Sequence, residues 1–142
     1  MSKKVLLCGA GQIGFRHIQS LISTDKELKI SVFDADMSAL ISFRDRISFD
    51  IHHKNIELEI CGQLDCAIQN PDLAIIATPA SGRYQLIEKL TELVSPNYWL
   101  VEKVLAQSSA ELDSIQKIMS GQQAWVNHPR RLQPLHRKIK QL

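Results

Sequence analysis

Three glycines and one acidic residue in this chain have the spacing of a dinucleotide-binding turn. A short apolar run over residues 5–8 leads directly into residues 9–14, which are Gly-Ala-Gly-Gln-Ile-Gly. A second apolar run ends in Asp34, 20 residues after the last of these glycines. A glycine turn between a strand and a helix, with an acid at the end of the next strand, can hold a pyrophosphate and its ribose. The spacing therefore predicts a βαβ unit that binds a nicotinamide dinucleotide.

Each residue of the turn has a separate role in this hypothesis. Gly9 allows the tight turn out of the strand because it has no Cβ. Gly11 lets the backbone approach the pyrophosphate, and Gly14 lets the following helix lie against the sheet. The helix begins at Gln12 and Ile13, where unpaired N–H groups point at the phosphates. All five residues are therefore candidate cofactor contacts.

The acid at the end of the second strand favours NAD over NADP. Asp34 is expected to accept hydrogen bonds from the adenosine ribose hydroxyls. A 2′-phosphate at that place would meet Asp34 and Asp36, with no arginine close in sequence. The alternative is a glycine-rich turn without a ligand, and the spacing of Asp34 argues against it.

Apolar periodicity predicts alternating strands and helices around these residues. The runs at 73–77 and 98–101 are almost continuously apolar, which is typical of strands covered on both faces of a parallel sheet. The segment 47–58 leaves the position of the third strand open. The predicted fold class is α/β, a doubly wound, mostly parallel sheet of about six strands with helices on both faces. We place strands near 4–8, 29–33, 56–60, 73–77, 98–102 and 124–127, and helices near 12–24, 36–46, 63–69, 81–94, 109–119 and 131–142.

Length and composition narrow the class of protein. At 142 residues the chain can bury the core of one domain without disulfides or metals, and we assign residues 1–127 to a dinucleotide-binding domain. No apolar run approaches the ~20 residues that span a bilayer, so we expect no membrane partner. Cys8, Cys61 and Cys66 lack a metal-binding spacing. We therefore expect free thiols in the cytoplasm and no metal site.

The last residues of the chain are basic. Residues 130–142 hold five bases and no acid, although the net charge of the whole chain is only +2. Such a tail is found in proteins that bind nucleic acid. Leu132, Leu135, Ile139 and Leu142 repeat at helical spacing, however, so we predict an amphipathic helix over 128–142 and no nucleic-acid partner.

Two later segments identify a family that the chain resembles. Residues 75–79 are Ile-Ile-Ala-Thr-Pro, and residues 99–103 are Trp-Leu-Val-Glu-Lys. Together with the glycine turn and His17, they resemble the N-terminal domain of the Gfo/Idh/MocA oxidoreductases over about residues 3–131. The resemblance implies a Rossmann fold, NAD or NADP as cofactor, and a small-molecule substrate. It also implies oxidation or reduction of a hydroxyl-bearing carbon, usually on a sugar or cyclitol.

The resemblance also implies roles for residues at two strand ends. Ala77, Thr78 and Pro79 would line the cofactor near its nicotinamide. Glu102 and Lys103 match the first two residues of the family's Glu-Lys-Pro motif. Glu102 is thus a candidate cofactor contact and Lys103 a candidate catalytic residue, whose cation would polarise or deprotonate the substrate hydroxyl.

The chain departs from the family pattern at both of these ends. Val104 replaces the motif's proline. The resemblance implies a cis bond between the lysine and the proline of the motif, whereas a cis bond before valine would cost about 2.5–4 kcal/mol more than trans. We therefore expect a trans bond and a displaced Lys103. Ala80 and Arg83 replace an asparagine and a histidine of the family. Arg83 is interpreted either as a contact for an anionic substrate group or as a surface arginine, and both remain open.

Family members are roughly twice as long as this chain. Their second domain supplies most of the substrate pocket, the catalytic histidine and the oligomer interface. The resemblance implies that residues 128–142 begin the crossing into such a domain, so we expect little activity from the chain in isolation. A homo-oligomer or a partner domain is expected to complete the site. Two alternatives stay open: a stand-alone domain that senses NAD or another nucleotide, and a degenerate interaction protein.

Overall fold

One parallel sheet forms the centre of the structure. The computed structural model describes residues 2–51, 55–129 and 134, and within these residues six strands pair in the order β3-β2-β1-β4-β5-β6. All five neighbouring pairs are parallel. The strands are β1 Lys3–Cys8, β2 Leu28–Phe33, β3 Ile56–Cys61, β4 Leu73–Ile76, β5 Tyr98–Glu102 and β6 Ala124–Asn127. The strand order reverses between β1 and β4, which confirms the doubly wound α/β fold.

Four helices cover the two faces of this sheet. They are α1 Gln12–Ile22, α2 Met37–Ile51, α3 Arg83–Leu93 and α4 Ser109–Ile118. Alternate residues of β1 point to opposite faces, so that Val5 and Leu7 pack with α1 and α2, whereas Leu6 and Cys8 pack with α3 and α4. The central strands are buried on both sides for this reason. The almost continuous apolar runs of the sequence are explained in the same way.

Two of the predicted elements differ from the structure. The helix predicted at 63–69 is only a 3-10 turn at Leu64–Cys66, because Leu64 and Ala67 alone bring this segment onto the core. Helix α2 continues to residue 51, beyond the predicted end at 46, since the buried Ile47 prolongs its apolar stripe. The third strand therefore lies late in the segment that the sequence left open.

The predicted helix at 131–142 falls outside the described residues, apart from residue 134. Among the helices that the structure describes, none combines the length and apolar character required to cross a bilayer.

The turn from β1 into α1 contains two glycines, Gly9 and Gly14, at positions where a side chain would not fit. A Cβ on Gly14 would stand 1.9 Å from the carbonyl oxygen of Gly9. Gly9 itself has φ +110°, and its Cβ would lie 2.8 Å from the carbonyl carbon of Ala77. The Ala77 N–H also donates to the Cys8 carbonyl at 2.7 Å. The start of α1 and the end of β4 are therefore both packed directly against this turn.

We expect Gly14→Ala to lower the free energy of unfolding by at least about 2 kcal/mol, because the backbone of the turn must move to admit the methyl group. Gly11→Ala is the matched control, since nothing lies within 4 Å of its Cβ position. Its loss should stay within about 1 kcal/mol, the usual cost of alanine at a helix start. Urea denaturation of both variants makes the comparison. Equal stability of the two variants would contradict this description of the turn.

Candidate functional site

The amino end of α1 is open towards the carboxyl edge of the sheet. The residue before the helix is Gly11, which has no side chain that could cap the first N–H groups. The first backbone bond of the helix runs from the Phe15 N–H to the Gly11 carbonyl at 2.9 Å, so the N–H groups before Phe15 have no partner within the helix. The empty space around the Cβ position of Gly11 leaves these groups accessible. This arrangement fits a pyrophosphate.

The side chain of Gln12 is held by the neighbouring helix. Its Oε1 accepts a hydrogen bond of 3.1 Å from Arg46 of α2, and the Arg46 guanidinium lies 3.8 Å from the centre of the Phe15 ring. The side chain of Gln12 therefore binds α2 through its oxygen. Its backbone N–H is the part that belongs to the open helix end.

Asp34 is fixed beside the glycine turn by two backbone hydrogen bonds. Its Oδ2 accepts from the Ala10 N–H at 2.7 Å, and its Oδ1 accepts from the Asp36 N–H at 2.9 Å. A carboxylate oxygen can accept more than one hydrogen bond, so both oxygens can still accept from a ribose hydroxyl. The half-buried Asp34 thus joins the glycine turn to the segment after β2, and its carboxylate is still able to accept from a ribose.

Asp36 caps the start of α2. Its Oδ1 accepts from the N–H groups of Ser38 and Ala39 and from the Ser38 hydroxyl, and these bonds, the hydroxyl's first, lower the pKa of Asp36. Among the salt bridges of the described residues, none involves Asp34 or Asp36. This end of the site is therefore acidic.

Two clefts lie along the carboxyl edge of the sheet and share Thr78 and Pro79. The β2 cleft, of about 380 Å³, is bounded by Phe33, Asp34 and Leu64 on one side and by α3 on the other. The β5 cleft, of about 420 Å³, lies between the start of α1 and the ends of β4 and β5. The predicted residues on the β5 cleft are Gly11, Gln12, Ile13, Ala77, Thr78, Pro79, Glu102 and Lys103.

The two clefts thus bring together all but two of the predicted site residues. Gly9 and Gly14 line neither cleft, because they act by close packing behind the turn.

Glu102 joins α1 to the ends of β5 and β6. Its Oε1 lies 2.7 Å from Nε2 of His17 and also accepts a hydrogen bond from the Asn127 amide. The side chains of Glu102 and His17 are only 12% and 16% exposed. The sequence did not predict that one carboxylate oxygen of Glu102 binds both partners.

Lys103 is exposed at the mouth of the β5 cleft. It also borders a smaller cleft on the far side of Glu102, which contains Arg16, His17 and Asn127. The Lys103–Val104 peptide bond is cis, so the expectation of a trans bond before valine was wrong. Lys103 lines the cleft that holds the other candidate residues.

Arg83 is not the surface arginine of the second interpretation that the sequence left open. The residue is 2% exposed and donates to three backbone carbonyls, those of Thr78, Glu102 and Val104, and it also lines the β5 cleft. Burial lowers the pKa of Arg83 below its ordinary value, and the nearby Glu102 charge opposes this shift only in part. A positive side chain in the first turn of a helix opposes the helix dipole. That conflict was the sequence signal for a tertiary partner.

The cysteine side chains take no part in the hydrogen bonds of Arg83 and Glu102. Cys8 and Cys61 are buried free thiols and Cys66 is an exposed one. Burial, with a smaller effect of the Asp34 charge, raises the pKa of the Cys8 thiol above its ordinary value. In the part of the chain that the structure describes, no three His, Cys, Asp or Glu side chains are grouped as metal ligands would be.

We expect His17 and Glu102 to be energetically coupled. His17→Ala and Glu102→Ala should each lower the free energy of unfolding by about 1–3 kcal/mol, because each leaves a half-buried polar partner unpaired. The double variant should lose about 0.5–3 kcal/mol less than the sum of the two. Urea denaturation of the four proteins measures this difference. The exposed pair Lys29 and Glu57 is the control and should show weaker coupling. Additive losses at His17 and Glu102 would contradict the proposed contact.

Comparison with known proteins gives a family and a fold. The model of the "Oxidoreductase family, NAD-binding Rossmann fold" (GFO_IDH_MocA) matches residues 3–128. No curated protein matches the chain. Solved structures match nearly all of it, at identities below 20% in the three cases described next.

The first of these is the WlbA dehydrogenase of Chromobacterium violaceum in complex with NADH and UDP-GlcNAcA, with 17% identity, a TM-score of 0.78, and coverage of 99% of this chain and 39% of that one. A candidate NADPH-dependent oxidoreductase of Desulfitobacterium hafniense has 17% identity and a TM-score of 0.77. The match covers 99% of this chain and 38% of that one. A super-repressor mutant of Gal80p from Saccharomyces cerevisiae has 19% identity and a TM-score of 0.80, covering 100% and 38%.

The chain thus spans about two fifths of the length of the structures that it matches. At these identities the structures establish the fold, whereas the family model covers most of the chain and establishes the family. The chain belongs to the Gfo/Idh/MocA oxidoreductases, and residues 3–128 match that family's NAD-binding Rossmann domain.

Proposed function

We propose that this chain binds NAD and serves as the cofactor domain of an oxidoreductase acting on a hydroxyl group of a sugar- or cyclitol-like substrate. The observation that carries the proposal is the open amino end of α1, which lies between Asp34 and the β5 cleft. Ligands of doubly wound sheets bind at this place, beyond the carboxyl ends of the strands where the strand order reverses.

The residues of the site would hold the parts of the cofactor in sequence along the sheet edge. The N–H groups at the start of α1 would bind the pyrophosphate. Asp34 would accept from the ribose hydroxyls, with the adenine in the β2 cleft. Ala77, Thr78, Pro79 and Glu102 would surround the nicotinamide in the β5 cleft. When bound, the nicotinamide supplies hydride-transfer chemistry at that cleft.

Lys103 is the proposed catalytic residue. Its side chain is exposed at the mouth of the β5 cleft, where a substrate hydroxyl could reach it from solvent. An ammonium at that place would stabilise the developing negative charge on the hydroxyl oxygen or exchange a proton with it. The substrate would approach from the side of the smaller cleft, which Lys103 also borders.

The charges around Asp34 support NAD as the cofactor. Asp34 and the carboxylate of Asp36, whose pKa is lowered, would both repel a 2′-phosphate. The Desulfitobacterium hafniense structure shows that the same fold also occurs in a candidate NADPH-dependent oxidoreductase. Our preference for NAD therefore depends on these two acids and not on the fold.

The remainder of the substrate site is proposed to come from a second domain or a second chain. The exposed Lys103 borders both the β5 cleft and the smaller cleft beside it. Residues that touch the rest of a sugar-like substrate are required for turnover. We therefore propose that this domain alone binds cofactor but catalyses little. Its three free thiols are compatible with a reducing compartment such as the cytoplasm.

Calorimetry with NAD and NADP tests the proposed cofactor. We expect NAD to bind more tightly than NADP, and Asp34→Ala to weaken NAD binding about tenfold or more, since two charge-assisted hydrogen bonds are lost. The same variant should narrow the difference between NAD and NADP, because it removes a negative charge. Asp113→Ala, on the exposed side of α4, is the matched control and should bind NAD as the original chain does.

Thermal melting of the same samples shows whether Asp34→Ala remains folded. The absence of heat from either cofactor at millimolar concentration would refute the proposal. So would a folded Asp34→Ala variant that binds NAD with unchanged affinity.

A ligand-sensing regulator is the second candidate. The observation that favours it is the shared fold with a super-repressor mutant of Gal80p. Such a protein would bind the dinucleotide at the same turn without using Lys103. NAD binding that changes the oligomeric state, together with no hydride transfer in the presence of its partner domain, would favour this candidate. Hydride transfer that is lost in Lys103→Met would favour the oxidoreductase.

A further inference from the structure

We propose that Arg83 is a positioning residue that ties the loop after β4 to the loop after β5, and so fixes the nicotinamide side of the β5 cleft. The inference rests on the proposed function for the identity of the ligand. The contacts that carry it are independent of any ligand, because they join parts of the protein to one another.

One guanidinium bonds two neighbouring strand ends. Nη2 of Arg83 donates to the carbonyl of Thr78, two residues beyond β4. Nη1 donates to the carbonyl of Glu102, at 2.5 Å, and to that of Val104. The side chain originates from the first turn of α3, a third element. Arg83 therefore links α3, the β4 loop and the β5 loop through one planar group.

The position is unfavourable for arginine in every local respect. The side chain is almost fully buried, and burying a charge is costly unless it is paired or hydrogen-bonded. It lies at the amino end of a helix, where the dipole disfavours a cation. Among the salt bridges of the described residues, none includes Arg83. The hydrogen bonds to three carbonyls are thus what stabilises the arginine at this place.

These bonds determine where Lys103 sits. The carbonyls of Glu102 and Val104 flank Lys103 in the chain, and both are bound to the same guanidinium. Thr78, on the opposite side of the β5 cleft, is bound to it as well. The backbone on both sides of Lys103 is therefore held at a fixed distance from the β4 loop. Without the arginine, the two loops that enclose the proposed nicotinamide site can move apart.

The experiment compares Arg83→Lys and Arg83→Ala with the original chain. NADH and ADP-ribose are the ligands, because ADP-ribose lacks the nicotinamide. A lysine carries one compact ammonium and cannot reproduce the planar fork. We expect Arg83→Lys to bind NADH about tenfold or more weakly and ADP-ribose within about threefold of the original. Arg44→Lys and Arg44→Ala, on the exposed side of α2, are matched controls and should change neither affinity.

Hydrogen exchange of the ligand-free proteins supplies a second measurement. In both Arg83 variants the amides of residues 77–80 and 102–106 should exchange faster, while those of the β1–α1 turn should not. Guanidinium ion added to Arg83→Ala should restore part of the protection, because it can occupy the vacated space.

Three outcomes would overturn the inference. One is an equal loss of NADH and ADP-ribose affinity, or no loss of either. The second is unchanged exchange in the two loops. The third is global unfolding of both variants, which would mean that Arg83 supports the whole fold and not these loops. If the original chain binds neither ligand, the proposed cofactor is wrong. The exchange data then decide alone whether Arg83 joins the loops.

Discussion

The candidate site depends on the close packing of Gly14 against the carbonyl oxygen of Gly9. A Cβ at Gly14 would come within 1.9 Å of that oxygen, and one at Gly9 would meet the backbone of Ala77. Two absent side chains therefore let α1 cross close above the sheet and let the end of β4 lie beside the turn. The open amino end of α1, the carboxylate of Asp34 and the β5 cleft all take their positions from this contact.

The parts of the site that the sequence predicted are those determined by neighbours along the chain. The glycine spacing, the acid at the end of β2 and the apolar runs at 73–77 and 98–101 are local signals, and each corresponds to the observed element. Parallel strands bring their carboxyl ends to one edge, so Thr78 and Glu102 could be placed near the glycine turn before the structure was known. The family resemblance then distinguished these strand ends from those of other nucleotide-binding proteins.

The parts that the sequence did not predict depend on contacts between distant segments. Arg83 was left open because its three acceptors are backbone carbonyls, which have no residue-type signal in a sequence. The hydrogen bonds of His17 and Asn127 to Glu102 join residues 85 and 25 positions apart. The short turn at Leu64–Cys66 was predicted as a helix because local propensity does not show how few of its residues reach the core. The bond before Val104 was predicted to be trans from the general cost of cis bonds, and it is cis.

The central claim is that a dinucleotide lies along the carboxyl edge from Asp34, past the glycine turn, to the β5 cleft. Titration of the isotope-labelled chain with NAD, followed by amide chemical shifts, tests the claim residue by residue. The account predicts the largest changes in residues 9–14, 34–36, 77–80 and 102–103, with small changes at the opposite edge of the sheet near Asp72 and Asn97. No saturable change, or changes centred away from these residues, would contradict it.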